Sequence, residues 1–280
     1  MIDTRDGRVW VTDTGAGSTS TLPLVILHGF PTSSWDFAAC IERLSRGRRV
    51  IAFDFLGFGF SEKPAKFSYS LFEQADVAQA VLRTLRIERA HVWAHDMGTS
   101  VATELCARRE RGFLPFSLAS LSLMNGSVHV EMAQLTFGQH LLASPLGPLF
   151  SRLNSARTFK AQMRRIFGKP PADEELDVMW MLLSREDGAL RLPKIIGYIE
   201  ERRRFHHRWI GALERLDVPT LIAWGKRDPV AILKIAQQLV SEIPGARLET
   251  WNDLGHSPQV EAPVRVSETL AGFLDPLDGS

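Results

Sequence analysis

The strongest structural signal in the chain is the stretch Val92-Trp93-Ala94-His95-Asp96-Met97-Gly98-Thr99-Ser100. An apolar run passes into a helical pattern through a short hinge, and small residues flank the hinge. This context is typical of a nucleophile elbow, with Asp96 at the position that usually holds serine. Such a bend would lift the Asp96 carboxylate above the carboxyl edge of a sheet and leave the Met97 N–H free at a helix N-terminus. The alternative interpretation is that Asp96 only caps a helix that begins at Thr99.

Short apolar runs on both sides of this bend alternate with longer helical patterns. Continuous runs of Val, Ile and Leu between turn residues are typical of buried strands in a parallel sheet. These runs are Leu22–Leu27, Val50–Phe53, His91–Ala94, Leu121–Met124 and Thr220–Trp224. The helical patterns between and after them are Ser34–Leu44, Leu71–Leu85, Thr99–Arg109 and Leu233–Ile243. The alternation predicts an α/β fold with right-handed crossovers.

The segment from Ser127 to Leu213 interrupts this alternation, because it carries helical patterns without a convincing strand. Turn residues divide it at Ser144–Pro148 and Lys169–Pro171, and the strand pattern resumes at Val218–Thr220. A helical insertion between two core strands predicts a cap. We therefore expect a core of residues 1–126 and 214–280 and a helical cap of residues 127–213.

Composition excludes several classes of protein. Of the 280 residues, 33 are Lys or Arg and 32 are Asp or Glu, so the net charge of +1 provides no bulk field for nucleic acid or anionic lipid. The two cysteines suggest a reducing compartment and small buried side chains. The first residues, Met1–Asp6, lack the apolar core of a signal peptide, and no apolar run reaches the length of a membrane span. The expectation is a cytoplasmic protein without a nucleic-acid or membrane partner.

Two further loops follow predicted strands. Leu24–Pro31 ends in a glycine-containing turn that could aim the Phe30 N–H at a developing oxyanion, opposite the Met97 N–H. An ordinary strand–helix turn is the alternative. Asp54–Ser61 resembles a phosphate loop only loosely, because it lacks a third glycine and a helix directly after it. We therefore expect no dinucleotide and no other cofactor.

Late in the chain, Asp228 lies just past a predicted strand, and His256 lies in a Gly/Pro loop after the strand Ala246–Trp251. Each residue alone has an ordinary explanation as a turn or solvated loop residue. With Asp96 they give the order nucleophile, acid, histidine that sheet hydrolases use. A histidine between two carboxylates suits a general base, because one carboxylate orients it while the other reacts.

These motifs resemble the α/β-hydrolase fold in its branch of epoxide hydrolases and haloalkane dehalogenases. His28–Pro31 is similar to the oxyanion loop of that branch, Asp54–Ser61 to its Asp-x-x-Gly-x-Gly-x-Ser loop, and His95–Gly98 to its aspartate elbow. Within the insertion, Tyr198–Leu213, Met179-Trp180 and Asp187-Gly188 resemble the mesoderm-specific transcript proteins. The resemblance covers nearly the whole chain. It implies a mostly parallel central sheet flanked by helices, with a helical cap inserted after the sixth strand of the family's sheet.

The resemblance also implies roles for individual residues. Asp96 would be the nucleophile, His256 the base, and the backbone N–H groups of Phe30 and Met97 the oxyanion hole. Some family members carry the acid after the sixth strand, where this chain has Asn125. An amide cannot supply the charge that stabilises an imidazolium, so Asp228 is the predicted acid.

The leaving group separates two reactions of this branch. Dehalogenases usually have Trp directly after the nucleophile and Asn after the glycine of the oxyanion loop, where this chain has Met97 and Phe30. Both departures count against a haloalkane dehalogenase, which remains the alternative. An epoxide hydrolase instead needs an acidic O–H in the cap, and Tyr198 fills that position. A second donor would be His129 or His140, and the sequence does not choose between them.

The remaining predictions concern the pocket and the basic run. Arg202–Arg208 contains a dense basic cluster that we interpret as a solvated helix face rather than a nucleic-acid surface. His206 and His207 do not have the spacing of metal ligands on one helix face, so we predict no metal. A non-catalytic binding protein of the same fold is the second alternative, and the oligomeric state stays open. The predicted contacts to a small apolar epoxide or halogenated substrate are His28, Trp35, Met132 and Trp180 together with the two histidines above.

Overall fold

The computed structural model describes residues 1–15 and 21–278, and a seven-stranded sheet forms its centre. The sheet has the order β3-β5-β4-β6-β7-β8-β9. Only β3 runs antiparallel to its neighbour, and the other pairs are parallel. Its strands are β3 (Val11–Asp13), β4 (Leu24–Leu27), β5 (Val50–Phe53), β6 (Arg89–His95), β7 (Ser117–Met124), β8 (Thr220–Gly225) and β9 (Arg247–Trp251). A separate antiparallel pair precedes them, β1 (Ile2–Asp3) and β2 (Arg8–Val9).

Helices cover both faces of the sheet. Before β7 lie α1 (Ala38–Leu44), α2 (Leu71–Thr84) and α3 (Met97–Glu110). Between β7 and β8 lie α4 (Phe137–Leu142), α5 (Gly147–Leu153), α6 (Ala156–Arg164), α7 (Asp173–Ser184), α8 (Leu192–Ile195), α9 (Tyr198–Arg204) and α10 (His206–Glu214). After β8 lie α11 (Leu233–Glu242), α12 (Pro258–Glu261) and α13 (Pro263–Leu274). Short 3-10 turns occupy Ser34–Phe37, Arg185–Arg191 and Asp275–Leu277.

The helices on both faces of the sheet explain why the strands are continuous apolar runs. Successive side chains of a strand point to opposite faces. In β4, Leu24 and Ile26 belong to the cluster with Phe37 and Phe273, whereas Val25 and Leu27 belong to the larger cluster on the other face. A strand covered on both faces therefore needs apolar residues at every position. This confirms the predicted α/β class and its mostly parallel sheet.

Element bounds follow the predictions closely, with one informative difference. The strand Val50–Phe53 and the start of the helix at Leu71 are as predicted, and Ser70 begins that helix by accepting a hydrogen bond from the Phe72 N–H at 3.2 Å. Helix α3, however, begins at Met97 and not at Thr99. Because the helix starts earlier, Asp96 occupies the single position between β6 and α3.

The segment predicted as a cap contains helices throughout its described secondary structure, and its last helix ends at Glu214. That helix, α10, packs along α3 of the core. Its Trp209 Nε1–H and its Arg208 Nε–H both donate to the buried Glu104 carboxylate, at 3.0 and 2.7 Å. Among the described residues, none of the helices combines the length and apolarity that a membrane span needs. We use the name insertion for residues 127–213.

Candidate active site

Asp96 lies in a strained backbone conformation at the bend between β6 and α3. Its φ of 46° and ψ of −113° are unusual for a residue other than glycine. The surrounding loops approach so closely that two glycines are required. A Cβ atom at Gly98 would lie 2.3 Å from the Leu27 carbonyl oxygen, and one at Gly29 would lie 2.7 Å from the Asp96 Cβ. Strain of this kind persists only where the surrounding structure enforces it, and it is concentrated at functional sites.

The Asp96 carboxylate points away from the helix that it precedes. It accepts no capping hydrogen bond from α3. Its Oδ1 instead accepts the Phe30 N–H at 2.9 Å, and its Oδ2 lies 3.5 Å from the His256 Nε2. The alternative that Asp96 only caps the helix is therefore wrong. The loops that follow β4, β6 and β9 therefore bring together Phe30, Asp96 and His256.

His256 is backed by Asp228, as the chain order predicted. The His256 Nδ1 lies 2.8 Å from the Asp228 Oδ2. The Asp228 Oδ1 accepts the N–H groups of Val230 and Ala231 at 2.8 and 2.9 Å, and the Asn125 Nδ2 donates to Oδ2 at 2.8 Å. These three hydrogen bonds fix the direction of the Asp228 carboxylate toward His256. Asn125 therefore supports the acid, a function that the sequence analysis missed.

The pKa values of His256 and Asp96 depend on each other's charge. Burial alone would lower the pKa of His256, but the carboxylates of Asp228 and Asp96 outweigh burial and raise the pKa to about 10. Burial would likewise raise the pKa of Asp96, yet the His256 imidazolium and the Arg202 guanidinium hold it far below its usual range. Without substrate, the site thus holds a carboxylate at Asp96 next to a protonated His256.

His95 supports the position of His256 through the backbone. Burial and the neighbouring His256 lower the pKa of His95 to about 4, so this imidazole stays neutral. Its Nε2 donates to the His256 carbonyl oxygen at 2.7 Å, which fixes the loop that carries the base. The sequence analysis quoted His95 only as part of the elbow and gave it no function.

The insertion contributes Tyr198, which is 2% exposed. Its ring centroid lies 5.6 Å from that of Phe30, and the Arg202 guanidinium lies 4.6 Å from its ring centre. Burial and then the Asp96 charge raise the pKa of Tyr198 well above its ordinary value, so the hydroxyl stays protonated. A hydrogen bond with the Gln139 side chain acts in the opposite direction.

The Gln139 side chain is fixed at the start of α4. Its Oε1 accepts the Thr136 N–H at 2.8 Å, within a capping box. Because the oxygen is engaged in this bond, the amide nitrogen is the group that the side chain can offer to Tyr198. No catalytic pattern in the sequence points to Gln139, although the Thr136-x-x-Gln139 pattern is a recognisable capping signal.

Arg202 joins the insertion to the elbow. It is 1% exposed, and its Nε donates to the Ser100 Oγ at 2.7 Å while its Nη2 donates to the Asp96 carbonyl oxygen at 3.1 Å. The interpretation of the basic run as a solvated face is correct for Arg203 and Arg204, which are exposed. It is wrong for Arg202, because the helix turns this residue toward the core.

A cavity lies between the core and the insertion. Phe30 and His256 line it from the core, and the insertion contributes apolar side chains together with the polar side chains of Thr136, Gln139, Asn154 and Gln162. Its volume is about 60 Å³. The further apolar lining residues are Leu142, Phe150, Phe159, Met163, Ile166, Leu183, Leu192 and Val230.

Comparison with known proteins places this site in a family. Residues 24–269 match the model of the alpha/beta hydrolase family. The chain belongs to that family. It is 42% identical to LipZ of Mycobacterium tuberculosis, which is named as a hydrolase, over 98% of this chain and 94% of LipZ. It is 36% identical to the human mesoderm-specific transcript homolog protein, over 90% of this chain and 78% of that protein. The predicted resemblance to both the family and the mesoderm-specific transcript proteins is confirmed.

Solved structures support the same fold. A crystal structure described as an ancestral haloalkane dehalogenase superposes with a TM-score of 0.81, over 100% of this hydrolase and 99% of that chain. The sequence identity is 21%, so this likeness concerns the fold alone. Together with the relatives, it confirms an α/β-hydrolase fold with a central sheet between helices.

Several predicted substrate contacts lie elsewhere in the hydrolase. His28 is fully buried, its Nδ1 donates to the Gly29 carbonyl oxygen at 2.8 Å, and its Nε2 accepts the Phe55 N–H at 2.9 Å. Both ring nitrogens therefore hold the oxyanion loop and are not available to a substrate. Trp35 is 44% exposed and lines a separate surface groove with Trp10, because its 3-10 turn faces outward.

The predicted contacts in the insertion are also corrected. His140 is exposed on α4, and His129 is buried between the carboxylates of Glu131 and Glu242. Both ring nitrogens of His129 are engaged by carboxylates and His140 faces solvent, so neither is placed as the second donor. Trp180 packs against Phe159 with a centroid distance of 5.6 Å and lies behind this wall residue. Met132 is likewise a half-buried packing residue and not a wall.

The Asp54 loop has a structural function. Its Oδ1 accepts both the N–H and the hydroxyl of Ser34, at 2.8 and 2.6 Å, and its Oδ2 accepts the Phe60 N–H at 2.8 Å. Gly59 has a φ of 49°, and a Cβ there would lie 2.0 Å from the Asp54 Oδ2. The loop folds around its own carboxylate, which explains the glycines without a bound phosphate.

Proposed function

We propose that this hydrolase opens apolar epoxides to vicinal diols through a covalent ester on Asp96. The observation that carries the proposal is the direction of the Asp96 carboxylate. It is turned away from its helix toward the Phe30 N–H and the His256 Nε2, next to a largely apolar cavity. A carboxylate in this position can attack an sp³ carbon, and the neighbouring imidazole can direct water at the resulting ester.

In the first step a carboxylate oxygen of Asp96 attacks a ring carbon of the epoxide. The carbon–oxygen bond of the ring breaks, and the departing oxygen takes the proton of Tyr198. The Arg202 guanidinium, 4.6 Å from the tyrosine ring centre, stabilises the negative charge that develops on the phenol. The Gln139 amide N–H would donate to the phenol oxygen of Tyr198 and stabilise it as a phenolate. Tyr198 is then the acid at the departing oxygen, and neither His129 nor His140 takes the place of a second acidic donor.

In the second step the ester is hydrolysed. Once Asp96 is esterified, one of the two charges that raise the pKa of His256 is gone, and the imidazolium can return its proton to the Tyr198 phenolate. Neutral His256 then takes a proton from water, and the hydroxide attacks the Asp96 ester carbonyl. The N–H groups of Phe30 and Met97 would stabilise the tetrahedral oxyanion. Collapse releases the diol, which takes its proton from His256, and the Asp96 carboxyl proton restores the imidazolium.

Haloalkane dehalogenation is the second candidate, because it uses the same nucleophile and base. A departing halide needs N–H donors, and tryptophan indoles commonly supply them in that reaction. None of the described side chains that line the cavity is a tryptophan. The indoles of Trp209 and Trp224 donate to Glu104 and to the Ala231 carbonyl oxygen. The lining of the cavity therefore favours the epoxide.

The test is to trap the ester in the variant His256→Gln. We expect styrene oxide to alkylate Asp96 in this variant and to accumulate, because the step that removes the ester needs the imidazole. Mass spectrometry of the intact protein and of its peptides distinguishes the two reactions. An epoxide adds its complete mass to Asp96, whereas 1-bromobutane adds only its alkyl group, since bromide is lost.

The matched control carries the additional substitution Asp96→Ala, which removes the nucleophile and should give no adduct. An adduct from 1-bromobutane but from no apolar epoxide would establish the dehalogenase instead. Absence of an Asp96 adduct across a panel of epoxides and haloalkanes, in a folded variant, would favour the remaining alternative of a non-catalytic binding protein.

A further inference from the structure

A second group of polar side chains lies away from the catalytic residues, where the two ends of the insertion meet. It consists of His129 and Glu131 near the start of the insertion and His206 near its end. The ligand atoms of these residues lie within 4.8 Å of one another, although His129 and His206 are 77 positions apart in the sequence. We use the name base cluster for these three residues.

The spacing of the three atoms matches one face of a coordination tetrahedron. The His129 Nδ1 lies 2.8 Å from the Glu131 Oε1 and 3.4 Å from the His206 Nε2, and the last two atoms are 3.7 Å apart. A point equidistant from all three lies about 1.9 Å from each, slightly less than the about 2.0–2.1 Å that Zn²⁺ keeps to such ligands. A zinc ion slightly above this plane would therefore have ordinary bond lengths to all three atoms.

A carboxylate also lies on the other side of the His129 ring. The His129 Nε2 lies 2.7 Å from the Glu242 Oε2, and the Glu242 Oε1 accepts the Gln238 Nε2–H at 2.7 Å. If a metal ion takes the place of the contact between Nδ1 and Glu131, Glu242 accepts the proton that remains on Nε2. Most metal-binding histidines have such a carboxylate or carbonyl behind them.

From this geometry we infer that the base cluster is a zinc-binding site that joins the two ends of the insertion. The site provides two imidazole nitrogens and one carboxylate, a ligand set that zinc accepts with a water molecule as the fourth ligand. The side chains of Glu131 and His206 are 52% and 30% exposed, so an ion can enter from solvent. The sequence analysis predicted no metal because it considered only His206 and its neighbour His207, and the fold replaces that neighbour with His129 and Glu131.

The physical consequence is a cross-link at the base of the insertion. Through Glu242 on α11, the ion would also be connected to the core. A ligand that binds the folded state and not the unfolded state stabilises the fold in proportion to the logarithm of its concentration over Kd. Zinc should thus raise the melting temperature without being required for the chemistry at Asp96.

The experiment uses the full chain without a histidine tag, stripped with EDTA and then titrated with ZnCl₂. We expect one zinc per chain by calorimetry and by elemental analysis after gel filtration. We expect a rise of at least about 3 °C in melting temperature at a hundredfold excess over Kd. MgCl₂ should produce neither effect, because magnesium prefers oxygen ligands.

Variants separate this site from adventitious binding. His206→Ala and Glu131→Gln should each remove the zinc-dependent rise, and Glu242→Gln should weaken binding by about 10–100-fold. His207→Ala is the matched control, since His207 is the exposed neighbour outside the base cluster, and it should bind like the wild type. Zinc binding that survives in His206→Ala, or that is lost equally in His207→Ala, would overturn the proposal. Absence of zinc binding in the wild type would overturn the proposal as well.

Discussion

The core and the insertion hold their parts of the active site by different means. In the core, the backbone positions Asp96, because this residue lies at a bend with positive φ and its carboxylate faces Phe30 and His256. In the insertion, Tyr198 and Arg202 depend on side-chain contacts that cross to the core. In the proposed mechanism, Asp96 and His256 of the core carry out the formation and the hydrolysis of the ester. Tyr198 of the insertion selects the leaving group, because it supplies the proton.

This difference predicts a hierarchy of effects. A change at the elbow should stop the reaction with every substrate. A change at Tyr198 of the insertion should slow only substrates whose leaving group must be protonated, such as epoxides. A change at the contact between the two parts should affect stability as well as rate. The following predictions test these consequences in that order.

The largest effect is expected for Asp96→Asn. An amide is not a nucleophile toward an sp³ carbon, so turnover of styrene oxide should fall by at least about 10⁴-fold. The Asn side chain still offers an oxygen to the Phe30 N–H, and the fold should be retained. Steady-state kinetics, circular dichroism and a mass check that the amide has not hydrolysed provide the measurement. Activity above a tenth of the wild-type value would show that the reaction does not pass through this carboxylate.

An intermediate effect is expected for Tyr198→Phe. Loss of the acidic O–H should slow alkylation by styrene oxide by about 10²–10⁴-fold, the usual contribution of a general acid. Any alkylation by 1-bromobutane should change little, since bromide leaves without a proton. Rapid-quench mass spectrometry in the His256→Gln background measures this single step.

Tyr69→Phe is the control for this change, because Tyr69 is the other tyrosine of the chain and its hydroxyl donates to the Pro64 carbonyl oxygen at 2.9 Å in the core. It should leave both alkylation rates nearly unchanged. Equal loss in the two tyrosine variants, or no loss in Tyr198→Phe, would remove Tyr198 from the proposed mechanism.

The smallest effect is expected at the contact between the two parts. Arg202→Met leaves the buried Ser100 hydroxyl without its donor and removes one of the donors to the Asp96 carbonyl oxygen, which keeps its hydrogen bonds from the Thr99 N–H and hydroxyl. The free energy of unfolding should fall by about 1–3 kcal/mol, the usual cost of buried groups that lose a partner. Urea denaturation measures this change.

Arg203→Met serves as the comparison for Arg202, because this exposed neighbour forms only a surface ion pair with Glu200 at 3.1 Å. Its effect on the free energy of unfolding should stay within about 0.5 kcal/mol. If the two variants were equally stable, Arg202 would not be the link between the insertion and the elbow.

How far the site can be predicted from the sequence also differs between the core and the insertion. The elbow was predictable because its glycines, its apolar strand and its helix are neighbours in sequence. His256 and Asp228 were predictable because each follows a strand, and parallel strands bring their carboxyl ends to one edge of the sheet. Periodicity placed the helices of the insertion but gave no information about which residue of each helix faces the cavity. Trp180 and His140 were therefore assigned to the wrong surroundings. His28 and Trp35 lie in core loops, where the direction of a side chain likewise depends on the packing of the loop.

The sequence by itself determined the class of fold, the strand–helix order and the carboxylate at the bend, because these depend on local spacing and on apolar periodicity. Only the tertiary structure decided that Arg202 is buried, that Tyr198 packs against Phe30, and that His129 meets His206. These contacts join residues far apart in the chain through the packing of helices against the core. Their geometry depends on crossing angles and helix rotations that no local pattern of residues specifies.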